Sequence, residues 1–232
     1  MNPIRAAAIA ALAILVASRG LAAQQTIVVR EGFDDGLGSW EQVRLDRRQT
    51  AYNTFDSGGD RVLVASSSNA AAGLVRPVET PAPARATLQW RWRVTRSLTE
   101  NDRERERRGD DYAARVFVMF GEHPFKRGTR ALSYVWAGQE PVGARYRNPV
   151  VGDVATIVLR SGDGGAGRWQ TEQRNLVVDF REAFGEDPPG ITAIAVLVDT
   201  DDTDTELISW FDDFLLQVDP DGSGRRPPSD AP

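Results

Sequence analysis

The sequence predicts an all-β fold, a jelly-roll-like antiparallel β-sandwich with one short helix. Three observations support this prediction: segments in which apolar and polar residues alternate, short segments that are apolar on both faces, and turn signals between them. Alternation with a period of two is the pattern of a strand with one buried face. Many short strands separated by turns are typical of a β-sandwich.

The strand segments fall into two groups. Alternating segments, which predict strands with one buried face, are residues 88–94 and 132–136. Segments that are apolar on both faces, as expected for central strands, are residues 112–120, 191–198 and most of 208–216. A short β-branched run covers 156–159. Gly, Pro, Asp and Ser mark turns between these segments at 57–60, 121–128, 162–167 and 187–190.

Two further segments are not strand-like. Asp179 is expected to cap a helix of one or two turns that runs through Phe184 and ends at Gly185. Residues 95–110 contain the mixed-charge run NDRERERRGD, which indicates a solvated loop or a short exposed helix.

The ends of the chain predict export. Residues 1–23 have one early positive charge, an apolar run from Ala6 to Val16 and small residues after it, which is the layout of a signal peptide. That run is shorter than the roughly 20 residues needed to span a bilayer, so we expect no stable membrane insertion after cleavage. The alternative is an uncleaved anchor or a disordered leader. Residues 24–218 form the predicted single domain, and the Pro-, Gly- and Ser-rich residues 219–232 a disordered tail. The protein is therefore expected in the periplasm or the medium.

Composition excludes some classes of function. The chain has no cysteine, which excludes disulfides and thiol chemistry. Removal of Arg5 and Arg19 with the signal peptide changes the formal charge from −5 to −7. This negative balance disfavours nucleic acid as a partner.

Two terminal segments resemble those of jelly-roll domains that bind carbohydrates. These are the opening segment FDDGLGSW at 33–40 and the closing strand WFDDFLL at 210–216. A wider set of motifs resembles the bacterial family catalogued as domain of unknown function 3047 (DUF3047): Trp90-x-Trp92, DDYAARV at 110–116, YVW at 134–136, RNL at 174–176 and DTD at 199–201 followed by Trp210. Residues 202–204 depart from that pattern, where Asn and Gly are expected. The resemblance implies an exported protein of undetermined activity.

Asp212 leads to a metal hypothesis. In a regular strand it would share an apolar face with Trp210 and Phe214, and an unpaired buried charge is costly. In the jelly-roll domains that the chain resembles, the first and last strands hold a structural calcium ion, so Glu31, Asp34 and Asp212 are the candidate ligands. The alternatives are a buried ion pair with an arginine, or an aspartate bonded to loop amides.

Other residues are candidates for a ligand site. Asp111 and Arg115 lie on one side of a predicted strand, too far apart to pair with each other, so each needs a cross-strand partner or a ligand. Tyr134 and Trp136 are the candidates for stacking on sugar rings, whereas Trp90, Trp92 and Trp210 are expected in the core. The acidic run DTDDTDTE at 199–206, with Asp199 and Asp201, indicates a solvated turn or the polar rim of a ligand site.

Catalytic motifs are sparse. His123, the only histidine, lies in a predicted turn, and the sequence has no G-x-S-x-G elbow, Walker loop, H-E-x-x-H or dinucleotide fingerprint. A glycosidase needs only two well-placed carboxylates, so an enzyme stays open. We therefore predict a non-catalytic module that binds a carbohydrate or envelope polymer. The alternatives are a glycan-active hydrolase or lyase, and an envelope protein–protein interaction module that uses the charged loop at 103–108.

Overall fold

The computed structural model describes residues 26–124 and 126–220. The predicted signal peptide, residues 1–23, lies outside the described residues, and so do residues 221–232 of the predicted tail. The first two residues of that predicted tail, Asp219 and Pro220, belong to the last strand.

Thirteen strands and one α-helix follow one another in the described part of the chain. The strands are β1 (Thr26–Glu31), β2 (Glu41–Arg44), β3 (Ala51–Ser57), β4 (Asp60–Ser68), β5 (Ala71–Pro77), β6 (Pro83–Val94), β7 (Ala114–Phe120), β8 (Arg130–Ala137), β9 (Arg145–Arg147), β10 (Val154–Ser161), β11 (Gln170–Asn175), β12 (Ile191–Asp199) and β13 (Glu206–Pro220). The helix is α1 (Leu176–Phe184), and two short 3₁₀ turns lie at Arg107–Gly109 and Asp163–Gly165. None of the described helices is long and apolar enough to cross a membrane.

The strands form two sheets that face each other. Sheet A has the order β11-β6-β13-β4-β3, and β1 also pairs with β13. Sheet B has the order β2-β5-β12-β7-β8-β10-β9. Every pairing is antiparallel except that of β8 with β10, which are parallel. The predicted jelly-roll-like β-sandwich with one short helix is confirmed, with that one parallel pair as the difference.

Large aromatic side chains fill the space between the sheets. Trp90 and Trp92 of β6 meet Tyr134 and Trp136 of β8, with ring centroids 5.4 Å apart for Trp90 and Tyr134 and 5.9 Å apart for Trp92 and Trp136. All four are fully buried. Such pairs add to the large apolar area that each ring removes from water.

The two terminal segments meet, as their resemblance to carbohydrate-binding jelly rolls implies. Phe33 and Trp40 pack against Phe214 of β13, with ring centroids 6.1 Å and 5.8 Å from that of Phe214. Pairing of β1 with β13 brings these rings together.

Helix α1 begins one residue after its cap. The side chain of Asn175 accepts a hydrogen bond from the backbone N–H of Val178, and Gly185 ends the helix in the left-handed conformation. The predicted end at Gly185 is confirmed. The predicted cap is wrong, because Asp179 lies inside the helix and is buried.

Strand β13 contains a bulge that changes which side chains share a face. One extra residue lies between Asp212 and Leu215, and Asp213 has a φ of 54°. Side chains alternate normally up to Asp212, which lies on the side of Arg91. The bulge at Asp213 then resets the alternation, so Phe214 and Leu216 lie on the core face and not on the face of Asp212.

Candidate functional site

A cleft of about 680 Å³ lies on the outer face of sheet B. Its floor is made by outward residues of the central strands, which alternate with the residues that fill the core. Successive cross-strand rows of this floor are Gly73–Leu197–Arg115, Val75–Ala195–Phe117 and Met119–Ala131. Most of these side chains are small or apolar, so the floor is an apolar surface with a charged end at Arg115.

Loops form the walls of the cleft. Residues 126–129 and Val150, Val151 and Val154 line one part, and Val43 and Leu45 line another. The side chain of Asn148 fixes the loop that holds Val150 and Val151, because its Oδ1 accepts hydrogen bonds from both backbone N–H groups, at 2.9 and 2.8 Å. Its Nδ2 donates to Asp110 at 2.9 Å, which ties this wall to the charged end.

Arg115 organises the charged end. It is only 2 % exposed, and its guanidinium donates to Asp110 at 3.3 Å and to Asp199 at 3.1 Å. The ring of Tyr112 lies 4.4 Å from its Cζ. Burial alone would lower the pKa of Arg115, but Asp110 and Asp199 outweigh burial and raise it. Arg115 is therefore a permanent buried cation. The sequence predicted that it needs a cross-strand partner or a ligand, and the structure shows that this partner is Asp199 of β12.

Three carboxylates meet beside Arg115. Asp111, Asp199 and Asp201, the acidic cluster, each offer an oxygen within 4.8 Å of the others. Asp111 Oδ2 accepts from the backbone N–H of Thr203 at 2.7 Å and from its hydroxyl at 2.8 Å. Asp199 is held by Arg115 and by the N–H of Tyr112. Asp201 is exposed, so it is the member most open to a ligand.

Asp111 and Asp199 hold protons more tightly than free carboxylates do. Burial, together with the nearby charge of Asp201, raises the pKa of Asp111 to about 6. Burial also raises the pKa of Asp199 well above its usual value, and Asp111 adds to that shift. Both shifts follow from carboxylates that lose water and face each other.

The mixed-charge loop borders this end of the cleft and is anchored. Glu104 is 2 % exposed, and its carboxylate accepts hydrogen bonds from the backbone N–H groups of Gly138, Gln139 and Glu140. The exposed arginines pair locally, Arg103 with Glu106 and Arg105 with Glu140. The loop prediction is confirmed, with a 3₁₀ turn at Arg107–Gly109.

Four of the six predicted ligand residues come together: Asp111, Arg115, Asp199 and Asp201 all line the charged end of the cleft. The prediction that Tyr134 and Trp136 stack on sugars is wrong. Both point inward from β8 and are fully buried, because their alternation with small residues puts the small residues on the outer face. Their polar atoms bond within the protein, Tyr134 to Asp179 and Trp136 to the carbonyl of Gly162.

The three predicted calcium ligands do not all converge. The carboxylate of Glu31 is held by Arg76 and by the indole N–H of Trp40. Asp212 forms an ion pair with Arg91, whose Nε lies 3.1 Å from Oδ2, so the ion-pair alternative is present. Asp212 Oδ1 is nevertheless buried and has no hydrogen-bond partner within residues 26–124 and 126–220. A β-carbon on Gly32 would lie 3.8 Å from this oxygen and 3.6 Å from Asp34 Oδ2, so the two carboxylates face one small space.

Sequence reasoning missed the floor and walls of the cleft. Asp110, Asn148 and the outward apolar residues of β5, β7 and β12 were not candidates. A signal for the floor was present, because strands that are apolar on both faces must have their outer face covered or bound by something. The pairing of Asn148 with Asp110 had no local signal, since the residues are 38 positions apart.

Comparisons with known proteins give a family and a set of similar folds. A family model described as "Protein of unknown function (DUF3047)" matches residues 38–215. No curated protein matches the chain. Among solved structures, the family 11 carbohydrate-binding module of the cellulosomal cellulase Lic26A-Cel5E of Clostridium thermocellum superposes with a TM-score of 0.45 at 9% identity, over 84% of this chain and 95% of that one. The K3 adhesin domain of Lys-gingipain from Porphyromonas gingivalis gives 0.43 at 16% identity, over 82% and 99%. The cellulose induced protein Cip1 gives 0.44 at 12% identity, over 81% and 96%.

Proposed function

The chain belongs to the DUF3047 family, whose description assigns no activity, so we infer its function from its own site. We propose that it is a non-catalytic binding module that holds a glycan or another envelope polymer in the cleft. The observation that carries the proposal is the cleft itself: a wide apolar floor that ends in fixed carboxylates, Asn148 and Arg107. Concave sites with an apolar lining and a few convergent polar groups are typical ligand sites.

The two parts of the cleft suit the two surfaces of a sugar chain. The C–H faces of sugar rings can pack on the aliphatic floor around Val75, Ala195 and Met119. Hydroxyl groups can donate to the exposed carboxylate of Asp201 and to neighbouring oxygens of the charged end. Arg115, Asn148 and Thr203 already hold these carboxylates in place, so binding would cost little ordering of the site.

A glycan-active hydrolase or lyase is the second candidate, and one observation favours it. The pKa of Asp111 is raised to about 6, and this carboxyl group lies in one cluster with Asp201. A carboxyl group with a raised pKa beside a second carboxylate is what acid–base cleavage of a glycosidic bond requires. Binding is favoured because Asp111 is 1% exposed and its Oδ2 is committed to Thr203. His123 is exposed and does not line the cleft.

Filling the cleft tests the proposal. An added β-carbon at Gly73 would meet only the carbonyl oxygen of Val196, at 3.9 Å, so the backbone accepts a side chain here, and Gly73 lines the cleft that the leucine of Gly73→Leu is meant to fill. We expect the mature chain to bind at least one of soluble β-glucan, chitin oligosaccharides or peptidoglycan fragments in calorimetry, and Gly73→Leu to weaken that binding at least tenfold. Val178→Leu, on an exposed position of helix α1 away from the cleft, introduces the same side chain, is the matched control and should bind normally.

Each other outcome of this experiment has a meaning. Equal binding by the wild type and Gly73→Leu would move the site away from the cleft, and no binding to any of these polymers would remove the glycan proposal. Release of shorter products from a bound glycan, lost in Asp111→Asn, would identify the enzyme instead.

Export and a structural calcium ion are further parts of the proposal. The layout of residues 1–23 supports export to the periplasm or medium. For calcium, Asp34 and Asp212 are the supported ligands, because the unpartnered Asp212 Oδ1 and Asp34 Oδ2 face the space at Gly32 and are the hard oxygen donors that calcium prefers. A bound ion would balance the buried charge of Asp212 there, whereas Glu31 is already neutralised by Arg76.

A further inference from the structure

A row of three side chains crosses the outer face of sheet A, on the opposite side of the molecule from the cleft. Arg93 of β6 is in register with Trp210 of β13, and Trp169 lies just before β11 on the other side of Arg93. The guanidinium carbon of Arg93 lies 4.0 Å from the Trp210 ring centroid and 5.2 Å from that of Trp169. All three side chains are half-buried. Trp169, Arg93 and Trp210 are called the Trp–Arg row below.

The expectation that Trp210 fills the core is wrong, and the strand register shows why. The core face of this half of β13 is formed by Leu207, Ser209 and Phe211, which are buried, whereas Trp210 lies between them on the outer face. An indole on an exposed sheet face is a surface available to a ligand.

Arg93 has no counter-ion in residues 26–124 and 126–220. Its neighbour Arg91 forms ion pairs with Asp60, Asp212 and Asp213. The side chain of Arg93 makes neither an ion pair nor a hydrogen bond with any described residue, and its Nε is buried without a partner. A half-buried guanidinium that is left unpaired loses hydration without compensation, so an anion placed here would complete its hydrogen bonding.

Polar groups continue the surface next to the Trp–Arg row. Ser66 and Thr95, with the apolar Ile208 between them, occupy the adjoining positions of the neighbouring strands and line a shallow depression of about 410 Å³, whose far end is formed by Glu206 and Ser68. Hydroxyl groups on a flat sheet beside indole rings are suited to a ring-shaped, hydroxyl-bearing ligand.

We propose that the Trp–Arg row is a second binding site, which takes an acidic sugar unit of a polysaccharide through an ion pair between Arg93 and the carboxylate or sulfate of that sugar and through stacking on the indoles. One unpaired guanidinium matches one isolated anionic group. Three carboxylates surround the adjacent Arg91, and they would repel a chain with a charge at every step, such as a nucleic acid. This site is independent of the cleft and of the function proposed for it.

Acidic and neutral polymers with the same backbone test the site. The mature chain is titrated with polygalacturonate and dextran sulfate of low charge density, in which neutral sugars separate the carboxylates or sulfates. Their neutral counterparts, fully methyl-esterified polygalacturonate and dextran, are titrated alongside. We expect binding to an acidic polymer and not to its neutral counterpart, and binding that weakens as salt is raised. Arg93→Gln should reduce the affinity at least tenfold. Arg85→Gln, an exposed arginine on the same strand, is the matched control and should retain it.

The remaining outcomes separate this site from its rivals. Gly73→Leu should bind the acidic polymers as the wild type does, so a failure of the cleft proposal leaves this one standing. Arg93→Gln that melts at the wild-type temperature yet binds equally well would overturn the proposal. It would also fail if the wild type bound neither acidic polymer, or if it bound single-stranded poly(dT) more tightly than both.

Discussion

Two buried aspartates, Asp111 and Asp179, show how neighbours decide the state of the same side chain. Asp179 accepts hydrogen bonds from Tyr134, Arg145 and Arg174, and although burial opposes it, this set holds the pKa of Asp179 below its usual value. Asp111 receives only neutral donors from Thr203, so burial prevails and its pKa rises. Asp179 therefore stabilises the fold as an anion and loses that contribution as the pH falls. Asp111 stabilises the fold when it is protonated and loses that contribution as the pH rises.

Asp111→Asn should change how stability depends on pH. The pKa of Asp111 is near 3.8 without the fold and about 6 within it, so the folded state binds the proton more tightly. Its contribution is complete below about pH 4 and is lost as the pH rises through about 6, an effect on the order of 3 kcal/mol. Asparagine keeps an oxygen for Thr203 and has no proton to lose.

Urea unfolding of both chains at pH values from 4 to 8 measures this difference. The stability of Asp111→Asn relative to the wild type should rise between pH 4 and 6 and stay level above. Parallel curves for the two chains over that range would show that Asp111 ionises normally in the fold.

At the scale of one residue, the sequence predicted which charged residues belong to the site better than it predicted which way the aromatic side chains point. Asp111, Arg115, Asp199 and Asp201 could be selected because charged groups beside apolar strands need partners. The face of the strand to which Tyr134 and Trp136 point could not be predicted, because both alternate with small residues that can lie on either face. Only the partner sheet, with Trp90 and Trp92 opposite, shows which face is inside.

At the scale of an element, β13 was correctly predicted as a strand, but the face of its first half was not, because Trp210 and Asp212 lie on the outer face and Phe214 on the core face. The prediction that Trp210, Asp212 and Phe214 share one face assumed an unbroken alternation. The bulge at Asp213 breaks it, and Asp-Asp in a strand gives no local sign of a bulge, since either residue could be the extra one. The bulge lies where β13 changes its other neighbour, from β4 before the bulge to β1 after it.

The positive φ of Asp213 leads to a prediction about the bulge. Aspartate and asparagine tolerate the left-handed conformation, whereas a β-branched residue does not. Asp213→Val should therefore lower the free energy of unfolding by about 1–2 kcal/mol more than Asp213→Asn does. Both variants lose the ion pair with Arg91, so their difference isolates the backbone.

Urea denaturation of the two Asp213 variants checks this prediction. The midpoints should differ while the slopes agree, since the same surface is exposed on unfolding. Equal midpoints would mean that the strand can remove the bulge when the residue disfavours it.

At the scale of the whole molecule, the fold is stabilised by the core between its sheets. With no cysteine, no disulfide can restrict the unfolded chain, so stability comes from packing and from ion pairs. The sequence could predict this architecture because strands β6, β7, β8, β10, β12 and β13 carry their own patterns, although β3, β4 and β5 were not predicted. It could not predict the cleft, which depends on loops 126–129 and 148–151 closing over a sheet that is distant in sequence.

The same lack of cross-links makes a bound ion measurable as stability of the entire domain. We expect calcium at 1 mM, added after chelation of the mature chain, to raise the melting temperature by several degrees. An ion that binds only the native state, at 100 times its dissociation constant, adds about 2.7 kcal/mol to the free energy of unfolding. Asp34→Asn should abolish the rise. Asp35→Asn, with the same change of charge one residue away, should keep it.

Asp201→Asn distinguishes the other acidic position, because it removes the exposed member of the acidic cluster. A rise in melting temperature that survives in Asp34→Asn and disappears in Asp201→Asn would place the ion at the cleft. Protonation of Asp111 would then also weaken the binding of the ion below about pH 6. A melting temperature that is the same with chelator and with millimolar calcium would leave Asp212 stabilised by Arg91 alone, and the terminal strands would then be joined by their aromatic contacts and β-pairing without a metal.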